Sequence, residues 1–242
     1  MEVKAVKALF FDLDGTLLPM DTDKFVKQYV QELAPKTASL VDPQTFTKAL
    51  WKGTEAMMKS TDPSTTNETV FMETFLPEAG VKREEIEPAL AHFYEHDFGQ
   101  FHVWTEKDEE AGRLVDTAYQ MGYEIVIATN PLFPERAVQH RIEWAGINPE
   151  QLTLVSSYEN STFTKPHRQY YEELAAKGGW DPSDCIMCGN DTVEDLAAAR
   201  AGMKTFLVEG WVIEREGALE PDDRGTLAEL HQKLKRREGI FA

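Results

Sequence analysis

Two acidic residues follow the first apolar run of the chain at a spacing that suits chemistry on a small anion. Asp12 and Asp14 come directly after the run 5–11 and lead into the turn Gly15-Thr16. In an extended chain, residues two apart project to the same side, so both carboxylates can face one group. They are either a functional pair or turn and cap residues of an ordinary strand–helix connection. The residues that follow the later runs favour the functional pair.

Polar residues also stand at the ends of the later apolar runs. They are Thr129 and Asn130 after the run 123–129, Lys165 before the helical pattern 166–178, and Asp191 and Asp195 after the run 185–188. Ligands of open α/β sheets bind beyond the carboxyl ends of the strands, so we expect these residues to meet Asp12 and Asp14. Carboxylates, a hydroxyl and a lysine suit Mg²⁺ beside a phosphoryl group.

The elements that must position these residues are strands and helices in alternation. Strands are predicted at 5–11, 123–129, 152–157, 185–188 and 204–209, and helices at 105–122 (with Thr105 as N-cap), 134–146, 166–178, 192–202 and 225–237. Continuous apolar runs are typical of strands covered on both faces. Their alternation with helices predicts an α/β fold, a parallel-sheet core with helix layers on both faces.

Residues 21–103 break this alternation. They contain helical patterns at 22–34, 42–59, 66–80 and 82–97, without a convincing strand. The sequence therefore predicts an all-helical domain at 21–103 inserted into a core formed by 1–20 and 104–242. Hinges are expected at 17–23 and 97–104.

The composition excludes several classes of protein. The chain has 242 residues, 42% of them hydrophobic, and a formal net charge of −17. That charge argues against binding a nucleic-acid backbone, which needs a concentrated basic face. No apolar window suggests a membrane span, and the first residues lack a signal-peptide pattern, so a cytoplasmic location is expected. The two cysteines, Cys185 and Cys188, are interpreted as core residues because a structural zinc site needs four ligands.

The ordered set of motifs resembles the haloacid dehalogenase (HAD) superfamily of phosphohydrolases. The matching segments are DLDGT at 12–16, the strand ending in Thr129, Lys165-Pro166, and GNDTVED at 189–195. The resemblance covers the whole chain and implies a Rossmann-like core with a helical cap domain at 21–103. It implies Mg²⁺-dependent hydrolysis of a small phosphorylated metabolite by a monomer or homodimer.

The resemblance also implies a role for each acidic residue of the site. Asp12 would attack phosphorus and form an aspartyl-phosphate, and Asp14 would act as general acid and then as general base. Mg²⁺ would be held by Asp12, the backbone carbonyl of Asp14 and Asp191, with Asp195 acting through water.

The remaining residues of the motifs would bind substrate. Thr129 would donate to a phosphoryl oxygen, and Lys165 would pair with that group and steady the nucleophile. Asn130 would contact the phosphate or, equally, stabilise the loop. The residues of the predicted cap that could recognise the leaving group are Lys24, Lys27, His92, His96 and His102. His167 is a further candidate nearer the predicted site.

The fourth motif departs from the pattern of many members. They carry Gly-Asp-Ser where this chain has Gly189-Asn190-Asp191. A carboxylate holds Mg²⁺ better than an amide, so Asp191 is predicted as the direct ligand, with Asn190 as the alternative.

Other activities are compatible with the same motifs. A phosphomutase would use Asp12 and Asp14 but return the phosphoryl group to a sugar hydroxyl. A dehalogenase would lack the second aspartate, so Asp14 speaks against it. A non-catalytic binding protein should have lost one of the motif residues. Phosphoglycolate, sugar phosphates and nucleoside monophosphates all remain candidate substrates.

Overall fold

A parallel six-stranded sheet lies at the centre of the structure, a computed structural model that describes residues 6–242. The strands are β1 (Ala8–Phe11), β2 (Glu124–Ile127), β3 (Leu154–Val155), β4 (Cys185–Gly189), β5 (Lys204–Glu209) and β6 (Asp223–Thr226). They lie in the order β3-β2-β1-β4-β5-β6, and every neighbouring pair is parallel. The first residues of the predicted strand 5–11 and core segment 1–20 lie outside the described residues.

The centre of the sheet is covered on both faces. Leu9 and Phe11 of β1 belong to one apolar cluster, whereas Ala8 and Phe10 belong to the other. Successive residues of a strand point to opposite faces, so a strand between two packed layers must be apolar at every position. This burial accounts for the continuous apolar runs, and the predicted Rossmann-like α/β fold is confirmed.

Helices lie between β1 and β2, between β2 and β3 and between β3 and β4, and one follows β6. They are α1 (Thr22–Lys36), α2 (Pro43–Lys59), α3 (Asn67–Ala79), α4 (Arg83–His92), α5 (Glu109–Gln120), α6 (Glu135–Trp144), α7 (Arg168–Gly178) and α8 (Leu227–Arg236). The helices α1 to α4 all fall between β1 and β2, where the sequence predicts the helical insertion.

Three elements differ clearly from the predictions. The N-cap of α5 is Asp108 rather than Thr105, because the Asp108 carboxylate accepts a hydrogen bond from Glu110 N. The predicted helix 192–202 is reduced to a 3₁₀ turn at Leu196–Ala201. The strand β6 was not predicted, since Asp223–Thr226 lacks apolar residues and pairs only with the edge of the sheet.

The insertion is attached to the core by hydrogen bonds and aromatic contacts. Asn67 N donates to Ser161 O at 2.8 Å, and the buried Asn67 side chain donates to Pro131 O at 3.3 Å. Phe98 stacks on Trp144 of α6, with ring centroids 5.6 Å apart. Residues of α1 and α2, including Val26 and Trp51, line the cavity at the carboxyl ends of the strands.

A buried histidine joins the last helix to α5. The ring of His231 lies 2.5 Å from a Glu110 carboxylate oxygen through Nδ1 and 2.7 Å from the Thr117 hydroxyl through Nε2. The contact with His231, together with Arg113, holds the pKa of Glu110 below its ordinary value.

The two cysteines are buried, free thiols of β4. Burial raises the pKa of Cys185 to about 12 and that of Cys188 further. Both side chains therefore stay protonated at neutral pH, as expected of core residues. Among the described residues, no helix is both long enough and apolar enough to cross a membrane.

Candidate active site

The predicted site residues converge on a cavity of about 670 Å³ at the carboxyl ends of β1, β2 and β4. The register places Phe11 opposite both Ile127 and Cys188, so the residues after the three strands start at the same level. The cavity is lined, among others, by Asp12, Asp14, Thr129, Asn130, Asn190, Asp191 and Asp195. Lys165 lies directly behind it in contact with Asp12.

A buried lysine bridges two of the carboxylates. Lys165 Nζ donates to Asp12 Oδ1 at 2.7 Å and to Asp195 Oδ1 at 2.6 Å, and its side chain is 1% exposed. Burial raises the pKa of Asp12, and it raises that of Asp195 to about 6, while Lys165 opposes both shifts. Burial lowers the pKa of Lys165, but the two carboxylates outweigh it and the pKa lies well above its ordinary value. The ammonium is therefore a fixed cation beside the predicted nucleophile.

The turn after Asp12 fixes the second oxygen of its carboxylate. The Thr16 hydroxyl lies 3.1 Å from Asp12 Oδ2 and 3.1 Å from Asn190 Oδ1. It follows Gly15, whose φ of +84° is unfavourable for other residues, and a Cβ there would lie 2.3 Å from Asn190 Nδ2. The glycine thus allows the fourth-motif loop to approach the first.

The two aspartates of the loop after β4 have different hydrogen-bond partners. Asp191 Oδ1 accepts hydrogen bonds from Val193 N and Glu194 N, and its Oδ2 accepts one from Arg215 Nε at 2.5 Å. Asp195 Oδ2 accepts from Asp191 N at 2.9 Å, so it also orders the loop. Asp191 is therefore engaged with the loop and Arg215, whereas the amide oxygen of Asn190 shares the Thr16 hydroxyl with Asp12.

Asp14 is held by a cation that the sequence reasoning missed. Arg141 of α6, itself buried, forms an ion pair with Asp14 Oδ2, donates from Nε to Ala137 O, and lies over the Phe133 ring. Asp14 Oδ1 is buried and has no hydrogen-bond partner among the described residues. In the sequence, Arg141 can be recognised as a charged residue on the apolar face of the predicted helix 134–146.

The residues after β2 stabilise the rim of the cavity. The Thr129 carbonyl accepts hydrogen bonds from Ser156 Oγ at 2.7 Å and Tyr170 OH at 2.8 Å. Asn130 accepts from Lys165 N at 3.2 Å and donates to Glu194 at 3.0 Å. These bonds suit the loop-stabilising alternative for Asn130. Of the candidates in the predicted cap, only Lys27 lines this cavity among the described residues.

The donor atoms of the site fit a hard divalent cation. Among residues 6–242, no three His, Cys, Asp or Glu side chains are arranged to hold a metal by themselves. Mg²⁺ needs only one or two protein carboxylates, because water and substrate oxygens complete its shell. The single proton of the Thr16 hydroxyl can serve Asp12 or Asn190 but not both, which leaves one of these oxygens open to a cation.

Comparisons with known proteins find relatives in sequence and in fold. The chain is 25% identical over 226 residues to the pyrophosphatase PpaX of Bacillus velezensis, covering 92% of this chain and 93% of PpaX. The HAD phosphatase of Thermococcus onnurineus superposes with a TM-score of 0.57 at 17% identity, covering 98% of this chain and all of that one. The 2-haloacid dehalogenase of Pseudomonas syringae superposes with a TM-score of 0.60 at 17% identity, covering 96% and 100%.

The two solved structures share the fold but differ in the reaction that their names give. A sequence model of haloacid dehalogenase-like hydrolases matches residues 6–202, most of the chain, and includes every predicted site residue. The chain therefore belongs to the haloacid dehalogenase-like hydrolases.

Proposed function

We propose that this hydrolase removes phosphate from a small phosphomonoester, with Mg²⁺, through an aspartyl-phosphate on Asp12. The observation that carries the proposal is the buried Asp12 carboxylate that lines the cavity, with Lys165 bound to one oxygen and the Thr16 hydroxyl beside the other. A carboxylate held in one orientation beside a cation is suited to in-line attack on phosphorus. The similarity to PpaX, whose name is that of a pyrophosphatase, favours phosphorus over carbon as the centre attacked.

The first step forms a bond between an Asp12 oxygen and phosphorus as the bond from phosphorus to the leaving oxygen breaks. Asp14 supplies the proton that the leaving alcohol requires. In this structure Asp14 lines the cavity but is paired with Arg141, so proton transfer requires its carboxyl group to leave that pairing. In the second step water attacks the phosphorus of the aspartyl-phosphate and gives its proton to Asp14. The bond between phosphorus and the Asp12 oxygen breaks, which regenerates the carboxylate and releases phosphate.

A cation completes the charge balance of the site. When bound, Mg²⁺ shields the negative charge that repels a carboxylate from a phosphate dianion. Asp12, the Asp14 backbone carbonyl and either Asn190 or Asp191 would hold it, with Asp195 behind them. Lys165 compensates part of the carboxylate charge, and Thr129 would donate to a phosphoryl oxygen.

The test is phosphate release from a panel of phosphorylated metabolites, with and without Mg²⁺. The panel contains phosphoglycolate, sugar phosphates, nucleoside monophosphates and pyrophosphate. We expect metal-dependent release by the wild type and a loss of at least about 10³-fold in Asp12→Asn. Asp62→Asn changes an exposed carboxylate and is the matched control. The absence of metal-dependent release on every compound would refute the proposal.

Two variants decide which residue supports the metal. The contacts favour Asn190, because it shares Thr16 with Asp12, whereas Asp191 pairs with Arg215. We expect Asn190→Ser to raise the Mg²⁺ concentration needed for half-maximal rate more than Asp191→Asn does. The opposite order would assign the ligand to Asp191, as the sequence pattern predicts.

The rival activities are separated by their products. A dehalogenase releases halide from a 2-haloacid without needing Mg²⁺. A phosphomutase requires a bisphosphate activator and yields an isomeric sugar phosphate instead of free phosphate.

A further inference from the structure

A second cavity of about 120 Å³ adjoins the site cavity, between the helical insertion and the residues that follow β2. We call this second cavity the apolar recess. Six residues line both cavities and form their shared boundary: Val26, Val30, Trp51, Thr54, Leu132 and Phe133. The recess therefore adjoins the cavity that Asp12 lines.

The walls of the recess are uncharged. Among the described residues that line it, none is Asp, Glu, Lys, Arg or His. Its polar atoms include the hydroxyls of Tyr29 and Tyr94, which lie 2.6 Å apart and bond to each other. The rings of Tyr29 and Phe133 meet edge to face, with centroids 5.2 Å apart. Such walls stabilise apolar and aromatic groups and penalise an ion that finds no counter-charge.

The larger cavity offers little to a second anion. Its described lining includes only two cations, Lys27 and Arg215, against several carboxylates. Arg215 already pairs with Asp191 and Glu194 at 2.5 and 3.3 Å. A leaving group with its own carboxylate or phosphate would therefore meet mainly negative charge on one side and apolar surface on the other.

We propose that the recess binds an apolar group of about phenyl size on the leaving alcohol, so that the substrate is a phosphomonoester of an uncharged alcohol carrying such a group. The recess is similar in size to an apolar protein cavity of about 150 Å³ that accommodates benzene. Trp51, on α2 at the entrance, is 48% exposed although it is a large aromatic residue, and the bound group would cover it. The proposal rests on the proposed function, since it takes phosphorus to lie at Asp12.

The test separates binding in the recess from hydrolysis. Phenethylphosphonate and ethylphosphonate differ only in the phenyl ring and cannot be hydrolysed at phosphorus. We expect calorimetry with Mg²⁺ present to give about 10- to 100-fold tighter binding of the phenyl compound, from the burial of one ring. The same ratio is expected for kcat/KM on phenethyl phosphate and ethyl phosphate, whose alcohols are of similar reactivity.

Variants connect this preference to the recess. Trp51→Ala should reduce the ratio of the two phosphonate affinities to less than about 3-fold. Tyr119→Ala removes an exposed aromatic residue of α5 that lines neither cavity, and it should leave the ratio unchanged.

The outcomes distinguish the two proposals. Equal affinity for the two phosphonates, or faster hydrolysis of phosphoglycolate or pyrophosphate than of phenethyl phosphate, overturns the recess proposal but leaves the phosphatase intact. Phenyl-dependent binding without hydrolysis of any phosphomonoester keeps the recess as the site of the apolar group, but it overturns the phosphatase and with it the substrate assigned to the recess.

Discussion

The bridge made by Lys165 predicts a large and specific loss of stability when the lysine is removed. In Lys165→Met the buried carboxylates of Asp12 and Asp195 keep their positions and lose the cation that contacts both. Methionine fills similar volume, so the packing around the stem is largely retained. Removing one partner of a buried ion pair lowers the free energy of unfolding by about 3–5 kcal/mol. For a chain of this length that corresponds to a decrease of roughly 6–20 °C in Tm.

The loss of stability in Lys165→Met should depend on pH, and the pKa values of the two carboxyl groups determine the direction of that dependence. Burial raises the pKa of Asp195 from 3.8 to about 6 even with Lys165 present, and removing the lysine raises it further. A carboxyl whose folded pKa is raised stabilises the fold at low pH and loses that contribution as the pH rises through the folded value. We therefore expect the difference in Tm between wild type and Lys165→Met to be largest near pH 7.5 and smallest near pH 4.5.

The assay is thermal unfolding without Mg²⁺ across this pH range. Lys177→Met on α7 is the matched control, because Lys177 pairs at the surface with Glu173 and its side chain is 36% exposed. Surface pairs contribute about 0–1 kcal/mol, so this control should shift Tm by only a few degrees. A Lys165→Met variant no less stable than Lys177→Met, or one with a pH-independent loss, would refute the reasoning.

Other parts of the structure give further predictions. Arg141→Met leaves Asp14 without its buried cation and should lower the free energy of unfolding by about 3–5 kcal/mol in urea denaturation. Gly15→Ala places a methyl group against Asn190. It should lower the free energy of unfolding by more than about 2 kcal/mol and remove most of the phosphate release. The pKa of Glu110 is lowered on folding, so its carboxylate stabilises the fold at pH values above its ordinary pKa of 4.5. This stabilisation is lost as the pH falls through the pKa of the folded state. Glu110→Gln should therefore lower Tm at pH 7 by more than at pH 3.5.

Each of these variants has a counterpart on the same scaffold. Arg136→Met removes an arginine of α6 that pairs at the surface, and it should cost less than about 1 kcal/mol. Gly122→Ala has a similar φ of +85° but open space around the new methyl group, so it isolates the backbone strain from the clash. Glu109→Gln changes the exposed neighbour of Glu110. If a variant and its counterpart lose the same amount of stability, the effect assigned to the buried contact is wrong.

The fold was largely predictable because burial on both faces of a sheet leaves a plain signal. The run that became β1 is apolar at successive positions, and the runs that became β2 and β4 are followed by polar residues that line the cavity. The strand β6 gave no such signal, because an edge strand is held by backbone hydrogen bonds and needs few apolar side chains. The 3₁₀ turn at Leu196–Ala201 was read as a longer helix, because the hydrogen bonds that Asp191 accepts from the loop are not visible in a sequence pattern.

The sequence by itself determined which residues meet, since parallel strands bring the residues after their carboxyl ends to one edge. That is why Asp12, Thr129, Lys165 and Asp195 could be grouped before any contact was known. Only the tertiary structure decided their partners. The pairing of Asp14 with Arg141, the engagement of Asp191 with Arg215 and the apolar recess depend on side chains from distant segments. Local spacing fixes the side of a strand to which a residue points, whereas a counter-charge or a cavity wall comes from whatever the rest of the chain packs against it.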